Sequence, residues 1–365
     1  MSVHGPMPKS AWMFPLLAMA LVIFVTVVDY TFAPSPAGLL FSAVLLVILF
    51  GTVFAAVHHA EVIAERIGEP FGTLLLTLAV TIIEVALIAT IMLGDTAVPT
   101  LARDTVFAVV MIVCNGLVGT CILLGGLRYR EQDFQISGAN LYLSVLAVLA
   151  TITLVLPNYT LTTPGPFYSA AQLAFVSVAT VLLYGVFLYT QTARHRDYFV
   201  SEGKHGSGHD AHASATGLLF SIILLLVSLL AVVLLAKKFS LVVDAGAAMI
   251  GAPSAFAGIV VALLILLPES VSAIAAARKN DLQKSINLAL GSSLATIGLT
   301  IPAVAIAAYT LQKTLILGLQ GRETVILLLT FILSMLTFGT GRTNILFGLL
   351  HLVVFAVFVF LVFVP

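Results

Sequence analysis

Apolar runs of about 17–25 residues recur along this chain, cut by short clusters of charged residues, proline and glycine. Eleven occur, at 11–31, 38–57, 72–94, 105–126, 139–157, 168–191, 216–236, 255–277, 286–310, 324–340 and 345–364. A helix rises about 1.5 Å per residue, so runs of this length match the ~30 Å hydrocarbon layer of a bilayer. The pattern predicts an all-α polytopic membrane protein with eleven transmembrane helices.

The polar positions inside the runs are few. Phe71 to Gly94 holds one ionisable residue, Glu84, near its middle. Ala245 to Ala277 also carries a single charge, Glu269, late in its apolar stretch. A carboxylate at mid-membrane depth costs about 2.5–3.5 kcal/mol on insertion scales, so each acid marks a functional-site hypothesis. One such Glu, taken alone, also fits a hydrogen-bonded structural residue; two at matching places call for one explanation.

Lysine and arginine are unevenly sorted between the two sets of loops. Eleven fall on one side, among them Arg66, Arg128, Arg130, Arg194 and Arg278, and five on the other: Arg103, Lys237, Lys238, Lys313 and Arg322. Positive residues stay inside, which puts the N-terminus in the cytoplasm and the C-terminus in the periplasm. The organisation is then one plus five plus five. Residues 1–37 hold an N-terminal segment and the first helix, 38–191 a first repeat of five helices, 192–215 a cytoplasmic linker rich in His, Gly and Ser, and 216–365 a second repeat of five. An odd number of spans per half makes the halves insert in opposite senses, as two inverted repeats. Each acid lies in the second span of its half. The next spans carry similar small and polar patterns, Asn115-Gly-Leu-Val-Gly-Thr120 and Gly291-Ser-Ser-Leu-Ala-Thr296, which coincide if the first half has a longer connection. Antiparallel halves bring the acids together near the midplane, where repeat-built transporters keep their sites.

Composition narrows the function classes. With 61% hydrophobic and 9% charged residues and a mean hydropathy of +1.16, a soluble domain is excluded and the bilayer is the protein's medium. The net charge is zero and no basic run or nucleotide-binding loop occurs, so nucleic acid is not a partner. Cys114 and Cys121 lie about 10.5 Å apart along a helix axis, too far for a disulfide, and read as packing residues. His205, His209 and His212 in the linker have a spacing that suits a transition metal or pH sensing, although a solvated connector is the plainer reading. The segment from His58 to Pro70, with Glu61, Glu65, Arg66 and Glu69, has helical charge spacing and reads as a helix cap or gate rim. His351, the lone ionisable group of the last run, reads as hydrogen-bonding a neighbouring helix.

Two carboxylates facing one cavity make a cation site. Ca²⁺ takes about six to eight oxygens, to which two carboxylates bring two to four. Thr77 and Thr81, two turns and one turn before Glu84, and Asn115, Ser292 and Ser293 from the following spans are candidate supporting ligands. Each of these also fits helix packing, a common use of small polar residues in membranes. Pro268 removes an N–H and frees a carbonyl one turn earlier, which a cation can satisfy. The same carboxylates take protons, so metal and proton compete for the same oxygens. A site open to one side at a time turns that competition into exchange. A cation channel is a second class, but channel filters are usually built around an oligomer axis. An intramembrane protease would need an acid dyad; none of the usual Asp type occurs, nor a Ser/His pair at matched depth, so no enzyme and no bound cofactor are expected.

Three stretches resemble a known family: Ala64–Ile88 (AERIGEPFGTLLLTLAVTIIEVALI), Gly125–Leu146 (GGLRYREQDFQISGANLYLSVL) and Gly341–Ala356 (GRTNILFGLLHLVVFA). They resemble the Ca²⁺/H⁺ antiporters of the cation/calcium exchanger superfamily, in particular its bacterial ChaA-type branch. The resemblance implies a multi-pass protein of the bacterial inner membrane. It places Glu84 and Glu269 at the family's two essential acids, with Asn115, Ser292 and Ser293 in the polar segments flanking the ion. The family motif has Gly-Asn before each acid, where this chain has Val80-Thr81 and Ile265-Leu266. Loss of both amide oxygens thins the set of hard ligands and leaves room for Na⁺ or K⁺ beside Ca²⁺ in exchange for H⁺. The alternative to Ca²⁺ exchange is thus Na⁺(K⁺)/H⁺ antiport with little Ca²⁺ transport.

Overall fold

In lipid a backbone group has no water to bond, so each apolar run closes its own hydrogen bonds as a helix. The computed structural model describes residues 7–28, 35–68, 71–92, 99–199, 215–253 and 255–364. Among them are eleven helices long and apolar enough to span a membrane. These are α1 (Lys9–Val28), α2 (Pro36–Ile67), α3 (Phe71–Met92), α4 (Leu101–Tyr129), α5 (Ile136–Tyr159), α6 (Ala170–Arg194), α7 (Ala215–Ile250), α8 (Ala255–Ala277), α9 (Leu282–Thr310), α10 (Gly321–Phe338) and α11 (Ile345–Phe363). Strands β1 (Glu131–Asp133) and β2 (Arg342–Asn344) form a short antiparallel ladder that pairs Gln132 with Thr343.

Several boundaries move from the expected ones. Helix α2 continues through His58–Arg66, so the charge-spaced segment extends a span as far as Ile67. At 36 residues α7 is about 54 Å long, more than a bilayer needs, and Lys237 and Lys238 lie inside it, not in a loop. The apolar run 245–277 is broken where α7 ends and the chain turns at Gly251, φ +65°. Arg103, also counted as a loop residue, lies in the first turn of α4. It is buried, with Nη2 2.7 Å from Asp104 Oδ1 and Nη1 donating to Gly318 O at 3.2 Å. Glu69 and the linker histidines His205, His209 and His212 lie outside the described residues.

By contact the chain divides into two units, Met1–Ala97 with Ser207–Ala252, and Val98–Gly206 with Pro253–Pro365. This differs from a division into halves along the sequence: the first unit holds α1–α3 and α7, the second the other seven helices. Within the first, α2 packs against α1, α3 and α7. Pro15 has no N–H to give the Ala11 carbonyl, and buried His59 of α2 fills that place, Nε2 to Ala11 O at 2.9 Å. A proline in one helix is thus answered by a histidine in the next.

The second unit is built around α4, in which every residue from Leu101 to Gly119 is buried. A helix apolar all round belongs in the interior. Helix α11 crosses it where two glycines face each other. A Cβ on Gly119 would lie 3.0 Å from Gly348 O, and one on Gly348 would lie 2.8 Å from Leu123 N. Small residues let membrane helices approach this closely. Gly348→Val should therefore force the helices apart and destabilise the protein by about 1–3 kcal/mol. Thermal unfolding in detergent checks this, with Gly185→Val, at a site with nothing within 4 Å, leaving the midpoint unchanged.

Candidate functional site

Spacings of four and three residues put Thr77, Thr81 and Glu84 on one stripe of α3. Glu84 is 1% exposed and Thr81 is buried, while Thr77 is half-buried. A separate stripe, Leu74, Leu78 and Ile82, is exposed, as a lipid-facing surface is. The helix thus sorts its polar atoms to one side. This arrangement lies in the first unit.

The remaining candidates lie in the second unit. Glu269 is half-buried on α8, directly after buried Pro268, and Leu266, one turn before the acid, is 1% exposed. Ser292 is half-buried on α9. Next to it the Ser293 hydroxyl is fully buried and has no hydrogen-bond partner among the described residues. A buried polar atom that the fold does not use asks for an explanation, and an oxygen kept for a ligand is one.

Asn115 sits in a π-helical segment of α4, Ile112–Leu117, which contacts α8, α9, α10 and α11. One extra residue per turn redirects side chains locally, and such segments often mark functional sites. Of the other π segments among the described residues, Thr151–Val155 lies late in α5, Thr190–Arg194 ends α6, and Thr296–Thr300 interrupts α9. Ile112–Leu117 begins 28 residues after Glu84 and Thr296–Thr300 27 after Glu269, so the two halves agree at nearly one offset with no longer connection in the first. In this register Asn115 corresponds to Thr300, not Gly291, and both are fully buried.

Asn115 is engaged at both ends of its amide. Its Nδ2 donates to Thr330 Oγ1 at 2.9 Å, and its Oδ1 lies 3.1 Å from His351 Nδ1. His351 Nε2 lies 3.0 Å from Thr337 Oγ1. All four residues have no exposed surface. An amide oxygen only accepts, so His351 Nδ1 carries the hydrogen of that bond. The neighbouring-helix partner expected for His351 is therefore present, but its link to Asn115 was not foreseen. Thr300, Thr330 and Thr337 are further buried hydroxyls; the sequence signal that marks Thr300 is its place 31 residues after Glu269, as Asn115 lies 31 after Glu84. The described residues hold no group of three or more His, Cys, Asp or Glu that would suit a metal ion.

Comparison with known proteins gives a family. The model of the sodium/calcium exchanger protein family matches residues 35–193 and 220–364. The chain is 44% identical over 365 residues to a putative ionic transporter, y4hA, of Sinorhizobium fredii, covering 100% of this chain and 98% of that one. It is 37% identical over 359 residues to the sodium-potassium/proton antiporter ChaA of Escherichia coli, covering 97% and 96%. The solved structure of YfkE shares its fold, with a TM-score of 0.71 at 19% identity over 97% of this chain and 100% of that one.

The amide–imidazole pair is directly testable. His351→Leu leaves a buried amide oxygen unsatisfied and should cost about 1–3 kcal/mol. Asn115→Leu should cost a similar amount, and the double variant less than the sum of the two. Thermal midpoints of the four proteins in detergent decide it, additive losses being the contrary result.

Proposed function

We propose that this chain, a member of the sodium/calcium exchanger protein family, exchanges cations for protons across the bacterial inner membrane by alternating access, with Glu84 and Glu269 as the shared cation and proton sites. The observation that carries the reading is the repeated arrangement of one membrane-embedded acid followed, at 28 and 27 residues, by a π-interrupted span. Two such halves inserted in opposite senses supply the same parts from both membrane faces, which alternating access needs. Thr77 and Thr81 add oxygens beside Glu84; Ser293 and Ser292 do so on the span after Glu269, and Pro268 loosens the backbone at the acid. Asn115 shapes its π segment through His351 and Thr330. Metal and proton compete for carboxylate oxygens, so binding of one releases the other.

The choice of cation is the second question. A sodium-potassium/proton antiporter stands at 37% identity over nearly the whole chain, whereas a Ca²⁺/H⁺ antiporter of Aphanothece halophytica stands at 27% over 262 residues. Thr81 and buried Leu266 also stand where the resembling family has amides. Both observations favour Na⁺ and K⁺ as substrates alongside or ahead of Ca²⁺, since Ca²⁺ asks for more hard oxygens.

Everted vesicles carrying a pH gradient test the reading. Glu84→Gln and Glu269→Gln should each abolish cation-induced proton release for Na⁺, K⁺ and Ca²⁺ alike; wild-type exchange in either variant would sink the two-acid mechanism. On the wild-type vesicles, apparent affinities for the three cations across pH rank the substrates. Current that persists with no proton gradient, far above carrier turnover, would instead indicate a channel. In this reading the N-terminus lies in the cytoplasm and the C-terminus in the periplasm, which the sorting of Lys and Arg supports. A C-terminal reporter should accordingly be active only when exported, and activity confined to the cytoplasm would contradict that topology.

A further inference from the structure

The block Gly125–Leu146 carries none of the residues assigned to the cation site, and the structure gives it a different role. Past Tyr129 the backbone turns through Arg130, at φ +68°, into β1. Strand alternation then points Gln132 inward, 2% exposed, between exposed Glu131 and Asp133. Its carboxamide nitrogen donates twice, to Ala277 O at 3.1 Å and to Asn280 Oδ1 at 3.0 Å. Ala277 is the last residue of α8, the helix that carries Glu269. The Tyr129 hydroxyl donates to Arg278 O at 3.0 Å, and Gln135 N donates to Gln283 Oε1 at 2.7 Å. The last carbonyls of a helix lack intrahelical partners. Here Asn280 N turns back to Ala277 O at 3.1 Å, and a separate segment adds the bonds from Gln132 and Tyr129; that segment is itself held by the β1–β2 ladder, beside which Phe134 N donates to Gly341 O at 3.1 Å.

Helix α8 has two halves. Pro268 cannot donate to the Leu264 carbonyl, so the helix is weakest directly before Glu269. The first half is seated on α4, where a Cβ on Gly258 would lie 2.8 Å from Thr105 N. The second half begins with Glu269 and ends, two turns later, in the clasp; Ser285 Oγ also donates to Ala273 O within it, at 2.7 Å. The carboxylate thus lies between the weak point and the clasped end; α8 also packs against the later part of α4, Val118–Tyr129, and against α9, and the clasp fixes its last turn.

We propose that Gln132 is a positioning residue for Glu269: by bonding the Ala277 carbonyl and Asn280 it holds the second half of α8, and with it the carboxylate, in the geometry that binds the cation. The proposal rests on Glu269 being a cation site. Without the clasp the half-helix pivots at Pro268, the carboxylate spreads over many positions, and cation binding weakens more than maximal exchange does.

Two variants of the full chain, reconstituted in liposomes, remove the clasp by different routes. Gln132→Met keeps the side chain's length and deletes both donors. Gly125→Ala leaves Gln132 intact, but a Cβ there overlaps its carboxamide and displaces it. Both should raise the apparent half-saturation for Na⁺ about two- to thirtyfold with a smaller change in maximal rate. Amide hydrogen exchange should quicken over 269–280 and stay unchanged over 255–267. Unchanged half-saturation, or equal quickening of both halves of α8, overturns the proposal. Should either variant fail to reach the membrane, Tyr129→Phe removes one anchor and should move both readouts in the same directions, less far. Glu269→Gln is measured beside them: full exchange there removes the cation-site reading itself, whereas an inactive Glu269→Gln with unaffected Gln132 and Gly125 variants removes only the clasp.

Discussion

A bilayer core offers no water, so every polar group placed there must be answered by the protein or by what it carries. The second unit meets this constraint at its central amide. The Asn115 amide is answered by His351 and Thr330, and His351 in turn by Thr337. Just past the π segment of α4 the Thr120 hydroxyl donates back to Gly116 O within it, at 2.7 Å. In the first unit the carbonyl that Pro15 leaves open is answered by His59. Ser293 is one of several buried hydroxyls, with Thr105 and Ser334 among them, that no described residue answers.

Close helix approach makes these answers possible. The facing glycines 119 and 348 bring α4 and α11 together, and one turn from each lie Asn115 and His351, now within hydrogen-bond reach. Gly125 and Gly126 work similarly at the end of α4: the first leaves room for the Gln132 carboxamide, the second for Ile345 at the start of α11. Two of the three stretches that resemble the exchanger family, Gly125–Leu146 and Gly341–Ala356, turn out to be joined to each other by the β1–β2 ladder. Their shared location at the end of the acid-bearing α8 gives the resemblance a physical content beyond the acids.

Eleven spans were readable because hydropathy over about 20 residues is a local property. Their ends were less so. Lys237 and Lys238 looked like a loop, yet a helix closes its own backbone bonds and continues past the membrane surface without penalty, as α7 does. Arg103 looked like a loop cation for the same reason; its partners, Asp104 next door and the Gly318 carbonyl 215 residues away, let it enter α4 as a buried ion pair. Small residues recur throughout membrane helices, so matching Asn115-Gly-Leu-Val-Gly-Thr120 to Gly291–Thr296 has little discriminating power, and the π segments Ile112–Leu117 and Thr296–Thr300 offer a second register, at 28 and 27 residues from the acids.

The sequence by itself determined the class of protein, the number of spans, the two acids and the stripe Thr77, Thr81 and Glu84, because each is set by composition or by helical spacing within one element. Only the tertiary structure decided that Asn115 belongs to His351, 236 residues on, that Gln132 caps α8, and that Glu269 begins a half-helix anchored at its far end. Those are pairings between elements distant in the chain. They depend on which helices approach and how closely, and that is settled by packing between surfaces rather than by any local pattern.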